Sequence, residues 1–248
     1  MSGHQFIFGR RAVVEALRSG SHIEEIWIAK SAHGEAIREI RSLADPLGVR
    51  LKEAEGKRMD TMAAGKNHQG ILAMIRSFDF HYVELEEVLS AAEERREKPL
   101  VAILDEITDP HNLGAIIRSA ECAGFHGVVI PKHRSAEINA TVMKTSAGAV
   151  SHIRIAQVTN LTQAIETLKE KGLWIYGTDT NAEKMYYEID PKDGVGIVIG
   201  SEGKGMRKAI ADHCDFLIKI PMRGKLQSLN ASVAAGIIFF DVIRRRYI

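Results

Sequence analysis

The chain has 248 residues, of which 45% are hydrophobic and 26% charged, the proportions of an ordinary soluble globular protein. No apolar run approaches the ~18 residues that a membrane span requires, and the opening MSGHQFIFGRRAVVEAL is too often interrupted by glycine, arginine and glutamate to read as a secretory leader. The net charge is only +1, but it is unevenly spread: residues 1–77 hold 12 Lys and Arg against 9 Asp and Glu, residues 78–98 hold 3 against 7, and residues 99–248 hold 18 against 16. An acidic stretch between two mildly basic parts marks a boundary. Cys122 and Cys214 give no disulfide framework and suit a reducing cytoplasm, which is the expected location. The ten histidines and two cysteines lack zinc-ligand spacing, so no metal is expected and a metal hydrolase is disfavoured.

In chain order, residues 10–18 place Val13, Val14 and Leu17 on one helical face. Residues 23–29 predict a strand, and residues 36–44 predict a helix through Ile37, Ile40 and Leu43. Residues 49–54 and 70–75 predict two more strands with a short helix between them, completing a small α/β domain over residues 1–77. Residues 78–98 read as a linker containing a polar helix.

From Pro99 the pattern changes. Apolar runs of strand length occur at residues 100–104, 127–130, 153–158, 173–176, 196–199 and 216–220. Helical stretches at 113–123, 161–171 and 229–244 separate several of them. Strands apolar throughout, alternating with helices, predict a parallel sheet covered on both faces over residues 99–248. In such sheets ligands sit beyond the carboxyl ends of the strands, which directs attention to three junctions.

The first junction is DEITDPHNLGAIIRSAECAG, residues 105–124. Asn112 stands where a helix cap is expected, Gly114 admits a close approach to the first turn, and Arg118 lies nearly two turns further along. The second is GIVIGSEGKGM, residues 196–206, a glycine-rich turn that carries Glu202. Its glycine order is neither that of a dinucleotide fingerprint nor that of a phosphate loop, which argues against a nucleotide-dependent dehydrogenase. The third, residues 217–246, holds a basic loop with Arg223 and Lys225, then Ser228 as candidate cap of a long helix. Leu229, Val233, Ile237 and Phe240 make one apolar stripe on that helix, fit for an interface or a core, and its first turns are almost all small residues.

Taken together, N-x-G-A-I-x-R, then I-G-S-E-G-x-G, then I-P-M…S-L-N-A-S-V-A resemble the three motifs of the SPOUT methyltransferases in the TrmH (SpoU) branch, almost continuously over residues 99–248. Residues 1–77 resemble the ribosomal-protein-like α/β domain that binds RNA substrate in some members. The layout is closest to the 23S rRNA guanosine-2′-O-methyltransferases of the RlmB type.

That resemblance implies a C-terminal trefoil knot, a fold that general topology rules would not suggest. It also implies S-adenosylmethionine as cofactor, 23S rRNA as partner and a homodimer through the C-terminal domain. It assigns Asn112, Arg118, Glu202, Ser228 and Asn230 to catalysis. The cofactor positions it implies are Gly200, Ile220 and Leu229, with Gly177, Thr178, Met222 and Ser228 as neighbours. A ribose 2′-hydroxyl is a poor nucleophile, and arginine is a reluctant base, so Arg118 is expected to bind the target phosphate and polarise the hydroxyl. Candidate RNA contacts are Arg10, Arg11, Arg118, Arg223 and Lys225, with Lys132–Arg134. Two alternatives stand beside this reading: a tRNA ribose methyltransferase of the same family and a non-enzymatic RNA-binding protein. The second leaves Asn112, Arg118, Glu202 and Asn230 in intact motifs without a use.

Overall fold

A computed structural model describes residues 5–18, 23–75, 80–203 and 205–247. The chain divides into two compact units, residues 1–79 and 80–248, so the expected boundary at residues 77 and 78 lies outside the described residues.

The smaller unit contains β1 (Gln5–Phe8), α1 (Arg10–Arg18), β2 (Ile23–Ala29), α2 (Glu35–Ala44), β3 (Arg50–Ala54), α3 (Gly56–Ala63) and β4 (Ile71–Ile75). Its mixed sheet has the order β1-β4-β2-β3, with β2 and β3 parallel and the other pairs antiparallel. Helical spacing puts Val13, Ala16 and Leu17 of α1 and Ile37, Ile40 and Ala44 of α2 into one core with Ile26 and Ile28 of the sheet. Strand β1 is an addition to the sequence reading: four residues ahead of a helix are too few to show a period.

The larger unit contains α4 (Leu85–Arg95), β5 (Leu100–Leu104), α5 (Pro110–Cys122), β6 (Gly127–Pro131), α6 (Ala140–Thr145), β7 (Arg154–Val158), α7 (Leu161–Glu170), β8 (Leu173–Thr178), β9 (Lys184–Met185), β10 (Gly194–Ile199), α8 (Lys208–Ala211), β11 (Phe216–Lys219) and α9 (Ala231–Tyr247). Every pairing in its seven-stranded sheet is parallel, in the order β7-β6-β5-β10-β8-β11-β9. Alternate residues of β5 serve opposite faces. Leu100, Ala102 and Leu104 pack with α5, α6 and α9, whereas Val101 and Ile103 pack with α4, α7 and α8.

Helix α4 belongs to this unit rather than to a free linker. Leu85, Val88, Ala91 and Ala92 are buried, and Gly127 of β6 is glycine where a Cβ would fall 2.5 Å from a Val88 methyl. Phe125, between α5 and β6, packs against Phe239 of α9, with ring centroids 4.3 Å apart. Strand order reverses between β5 and β10, and the functional side chains lie past the carboxyl ends of these strands.

Candidate active site

The segments that follow β8, β10 and β11 border a cavity of about 410 Å³. Ile199, Ile218, Leu229 and Ile238 give it apolar walls, and Asp179 and Glu202 bring carboxylates to it. After β10 the chain makes a tight turn in which Ser201 and Gly205 exchange backbone hydrogen bonds of 2.9 and 3.0 Å. Gly200 is required there, because a Cβ would lie 2.5 Å from the carbonyl carbon of Gly205. The turn is anchored from behind by Asp105 at the end of β5, whose side chain is wholly buried. Arg207 meets its two oxygens through Nε at 2.7 Å and the backbone N–H at 2.8 Å, and the Asp105 carboxylate raises the guanidinium's pKa above its ordinary value.

The turn presents Glu202 to two amides. Asn112 Nδ2 donates to Glu202 Oε1 at 3.0 Å, Asn230 Nδ2 donates to the same oxygen, and Asn230 Nδ2 also donates to Asn112 Oδ1 at 2.9 Å. The backbone N–H of Ala231 reaches Glu202 Oε1 at 3.4 Å. Glu202 Oε2 has no partner among the described residues and lies on an exposed side chain. Three segments far apart in sequence therefore share one carboxylate beside the cavity.

The caps differ from the sequence reading. Asp109, not Asn112, caps α5: its carboxylate accepts from the N–H groups of His111 at 3.2 Å and Asn112 at 3.1 Å. Pro110 occupies the first helical position, which needs no donor, so Asn112 falls inside the first turn and its amide is free for Glu202. Likewise Asn230, not Ser228, caps α9, its Oδ1 accepting from Ser232 N at 2.9 Å and Val233 N at 3.2 Å. Ser228 is exposed and lines the cavity instead.

Arg118 stands apart from this cluster. Six residues along a helix leave two side chains about 120° apart, and here Asn112 is buried while Arg118 is exposed. Arg118 makes no hydrogen bond or ion pair among the described residues. Gly114, which the sequence marks as a place of close approach, faces α6: a Cβ there would lie 2.7 Å from Thr145 Cβ.

Of the expected cofactor positions, Thr178, Gly200, Ile220, Met222, Ser228 and Leu229 border the cavity. Gly177 does not; the space beside it is taken by Cys214 and Leu217. Burial pushes the Cys214 thiol up to about 12, so this cysteine is packing material. Arg223 and Lys225 are exposed on the segment before α9, between cavity residues Met222 and Gln227. Arg134 pairs with Glu106 at 3.3 Å. The sequence reading missed Asp179 and Asp105, although each lies just past the end of a parallel strand, where function concentrates, and it missed Arg207 ahead of α8. Among the described residues, no three His, Cys, Asp or Glu side chains are grouped to hold a metal ion, and no helix is long and apolar enough to cross a membrane.

Residues 99–240 match the SpoU rRNA methylase family, and residues 6–81 match the RNA 2′-O ribose methyltransferase substrate-binding family. The chain belongs to the SpoU (TrmH) family of RNA 2′-O-ribose methyltransferases. It is 43% identical over 243 residues to YacO of Bacillus subtilis, named a TrmH family tRNA/rRNA methyltransferase, covering 98% of this chain and 96% of that protein. A TrmH family protein of Staphylococcus aureus is 40% identical over 241 residues, covering 97% and 96%. Among solved structures, the SpoU methyltransferase AviRb from Streptomyces viridochromogenes in complex with AdoMet has the same fold, with a TM-score of 0.62 at 21% identity over 98% of this chain and 91% of that one. The A. aeolicus TrmH/SpoU tRNA modifying enzyme matches 65% of this chain and 84% of its own at 30% identity and a TM-score of 0.56. The family's methyl donor is S-adenosylmethionine.

The cavity suits that cofactor. Its apolar walls fit an adenine ring, Gly200 and Ile220 border it, and Asp179 complements a cationic ligand.

Proposed function

We propose that the chain transfers a methyl group from S-adenosylmethionine to the ribose 2′-hydroxyl of a guanosine in 23S rRNA. The observation that carries this reading is the Glu202 carboxylate shared by Asn112 and Asn230 at the edge of the cavity. Bound in the cavity, the cofactor supplies an electrophilic methyl group. Thr178, Gly200, Ile220, Met222, Ser228 and Leu229 hold it, and the apolar walls exclude water around it.

Glu202 fixes the amides of Asn112 and Asn230, and these orient the ribose. A hydroxyl held in line for attack gains more from position than from a strong base. Arg118, set apart from those amides, grips a phosphate of the bound RNA with its unpaired fork, and the hydroxyl's proton passes to a phosphate oxygen. Arg223 and Lys225 add contacts to the RNA backbone beside the cavity.

The same reading includes a knotted C-terminal segment, a cytoplasmic enzyme and a homodimer through the larger unit. The knot comes from the family to which residues 99–240 match. The dimer is supported by the outer face of α9, where Val233, Ile237 and Phe240 are 49%, 37% and 50% exposed while Ala235, Ile238, Phe239 and Val242 fill the core.

A tRNA substrate is the second reading, favoured by the tRNA-modifying neighbour that matches 65% of this chain, a share no greater than that of the larger unit alone. Purified protein, labelled S-adenosylmethionine, and rRNA and tRNA from cells lacking the gene separate the two. Labelled 2′-O-methylguanosine in 23S rRNA is the expected product. Label confined to tRNA overturns the substrate and keeps the chemistry.

A further inference from the structure

The smaller unit has a cavity of its own, about 500 Å³, bordered by Phe8, Gly9, Arg10, Arg11, Asn67 and Gln69. Two arginines border it, and no carboxylate lines it among the described residues. Arg10 is fixed in place by neutral groups: Nε donates to the Gln69 carbonyl and Nη1 to the His33 carbonyl, each at 3.2 Å. Carbonyls orient a guanidinium without neutralising it. Arg11 is exposed and has no hydrogen bond or ion pair among the described residues. Elsewhere in this unit Arg18 pairs with Glu39 at 2.5 Å, Arg41 with Glu53 at 3.3 Å and Arg50 with Glu25 at 3.5 Å, whereas Arg38 and Arg58 have no ion pair among the described residues and do not border this cavity. The cavity beside Arg134 and Arg207 in the larger unit offers no comparable charge, because those residues pair with Glu106 and Asp105.

An acid-free cavity with one pre-oriented and one free guanidinium is built for a phosphate. Arginine's planar fork matches two phosphate oxygens, and the first-turn N–H groups of α1 add to the field without being the reason for it. Asn67 and Gln69 place amide side chains at the same cavity, able to donate and accept at a base edge or a 2′-hydroxyl.

We propose that this cavity is a phosphodiester site that grips the RNA substrate, with one backbone phosphate between Arg10 and Arg11 and the flanking nucleotide against Asn67 and Gln69. The proposal rests on the reading of the chain as an RNA methyltransferase.

The test uses the full-length protein, Arg11→Gln and Asn67→Ala. Filter binding of a radiolabelled, unmodified 23S rRNA transcript is followed over a salt series, with calorimetric titration of S-adenosylmethionine alongside. Arg11→Gln is expected to lower affinity about fivefold to tenfold and to reduce the slope of log affinity against log salt by about 1, the signature of one lost phosphate contact. Asn67→Ala is expected to weaken binding about threefold with the slope kept, since an amide releases no counterion. Cofactor affinity should be unchanged in both. A wild-type protein that methylates RNA, with Arg11→Gln showing the same slope and affinity, overturns the phosphate site alone. A wild-type protein that neither methylates nor binds RNA overturns both the site and the function. Tight binding of GMP that Arg11→Gln abolishes, with the RNA slope unchanged, makes the cavity a mononucleotide pocket and also overturns the proposal.

Discussion

Replacing Glu202 with alanine removes the acceptor that Asn112 and Asn230 share. Two side-chain amides and, at 3.4 Å, the N–H of Ala231 lose one oxygen. A hydrogen bond to a charged group contributes about 1.5–3 kcal/mol when sheltered, but Glu202 is exposed and water replaces much of the loss, so the stability cost is about 1 kcal/mol. The effect on rate is larger, because Asn112 is buried and its freed amide must turn to find another acceptor. Loosening two orienting groups raises the barrier by about 1.4–2.7 kcal/mol, or roughly 10- to 100-fold in rate. Cofactor affinity should change less than about threefold, since the walls from the β8 and β11 segments are untouched. Glu202→Gln keeps an acceptor oxygen for the amides and should recover the rate to within about fivefold of wild type. Single-turnover methyl transfer and calorimetric titration of S-adenosylmethionine measure the two quantities separately. Parallel loss of rate and affinity in Glu202→Ala would refute the positioning role. A Gln variant as slow as the Ala variant would show that the charge matters rather than the geometry.

Three further outcomes follow from other parts of the larger unit. Asp105→Asn breaks a wholly buried carboxylate's pair with Arg207; breaking a fully buried pair costs about 3–5 kcal/mol. Because the Arg207 side chain is 39% exposed, about 2–3 kcal/mol is expected, seen as a lower denaturant midpoint. His126 has its pKa lowered from the ordinary 6.5, first by burial and then by the charge of Arg95, with Glu97 opposing. Its Nδ1 accepts from Leu100 N at 2.9 Å, a bond that only the neutral ring can make. The unfolded chain therefore binds the proton more readily, and stability present above pH 6.5 is lost as pH falls from there toward the folded value. Denaturant titrations at neutral and mildly acidic pH should show that loss in wild type and a smaller one in His126→Gln; an equal loss removes His126 as its source. Ile237→Glu puts a charge on the exposed face of α9, and sedimentation should show a dimer for wild type and a monomer for the variant. Equal masses for the two would place any dimer contact elsewhere.

What the sequence made legible depended on how many residues carried each signal. Strands β5, β6 and β10 announce themselves because burial on both faces of a parallel sheet demands unbroken apolar runs, whereas β7, β8 and β11 are only partly buried and carry weaker runs. Helix α6, ATVMKT, has six residues and no apolar period; its place is set by Gly114, which lets it press against α5. Strand β9 has two residues and exists only through its pairing with β11. Asn112, Glu202 and Asn230 stand out in sequence as residues at junctions, but their common hydrogen-bond acceptor does not, because it joins segments 90 and 28 residues apart. The caps were misplaced for a local reason: Asp109 and Asn230 each lie within three residues of another plausible cap, and only backbone geometry chooses between them. The stripe through Val233, Ile237 and Phe240 shows the limit of periodicity. Helix α9 is apolar around most of its circumference, so sequence alone does not say which face meets the core.

The most direct test of the central claim, methylation of an RNA ribose, is the alkali digestion of RNA labelled by the purified protein with tritiated S-adenosylmethionine. Alkaline cleavage needs a free 2′-hydroxyl, so a 2′-O-methyl group leaves its nucleotide joined to the next. Tritium recovered in alkali-stable dinucleotides is the predicted result. Tritium recovered in mononucleotides would place the methyl group on a base and contradict the account.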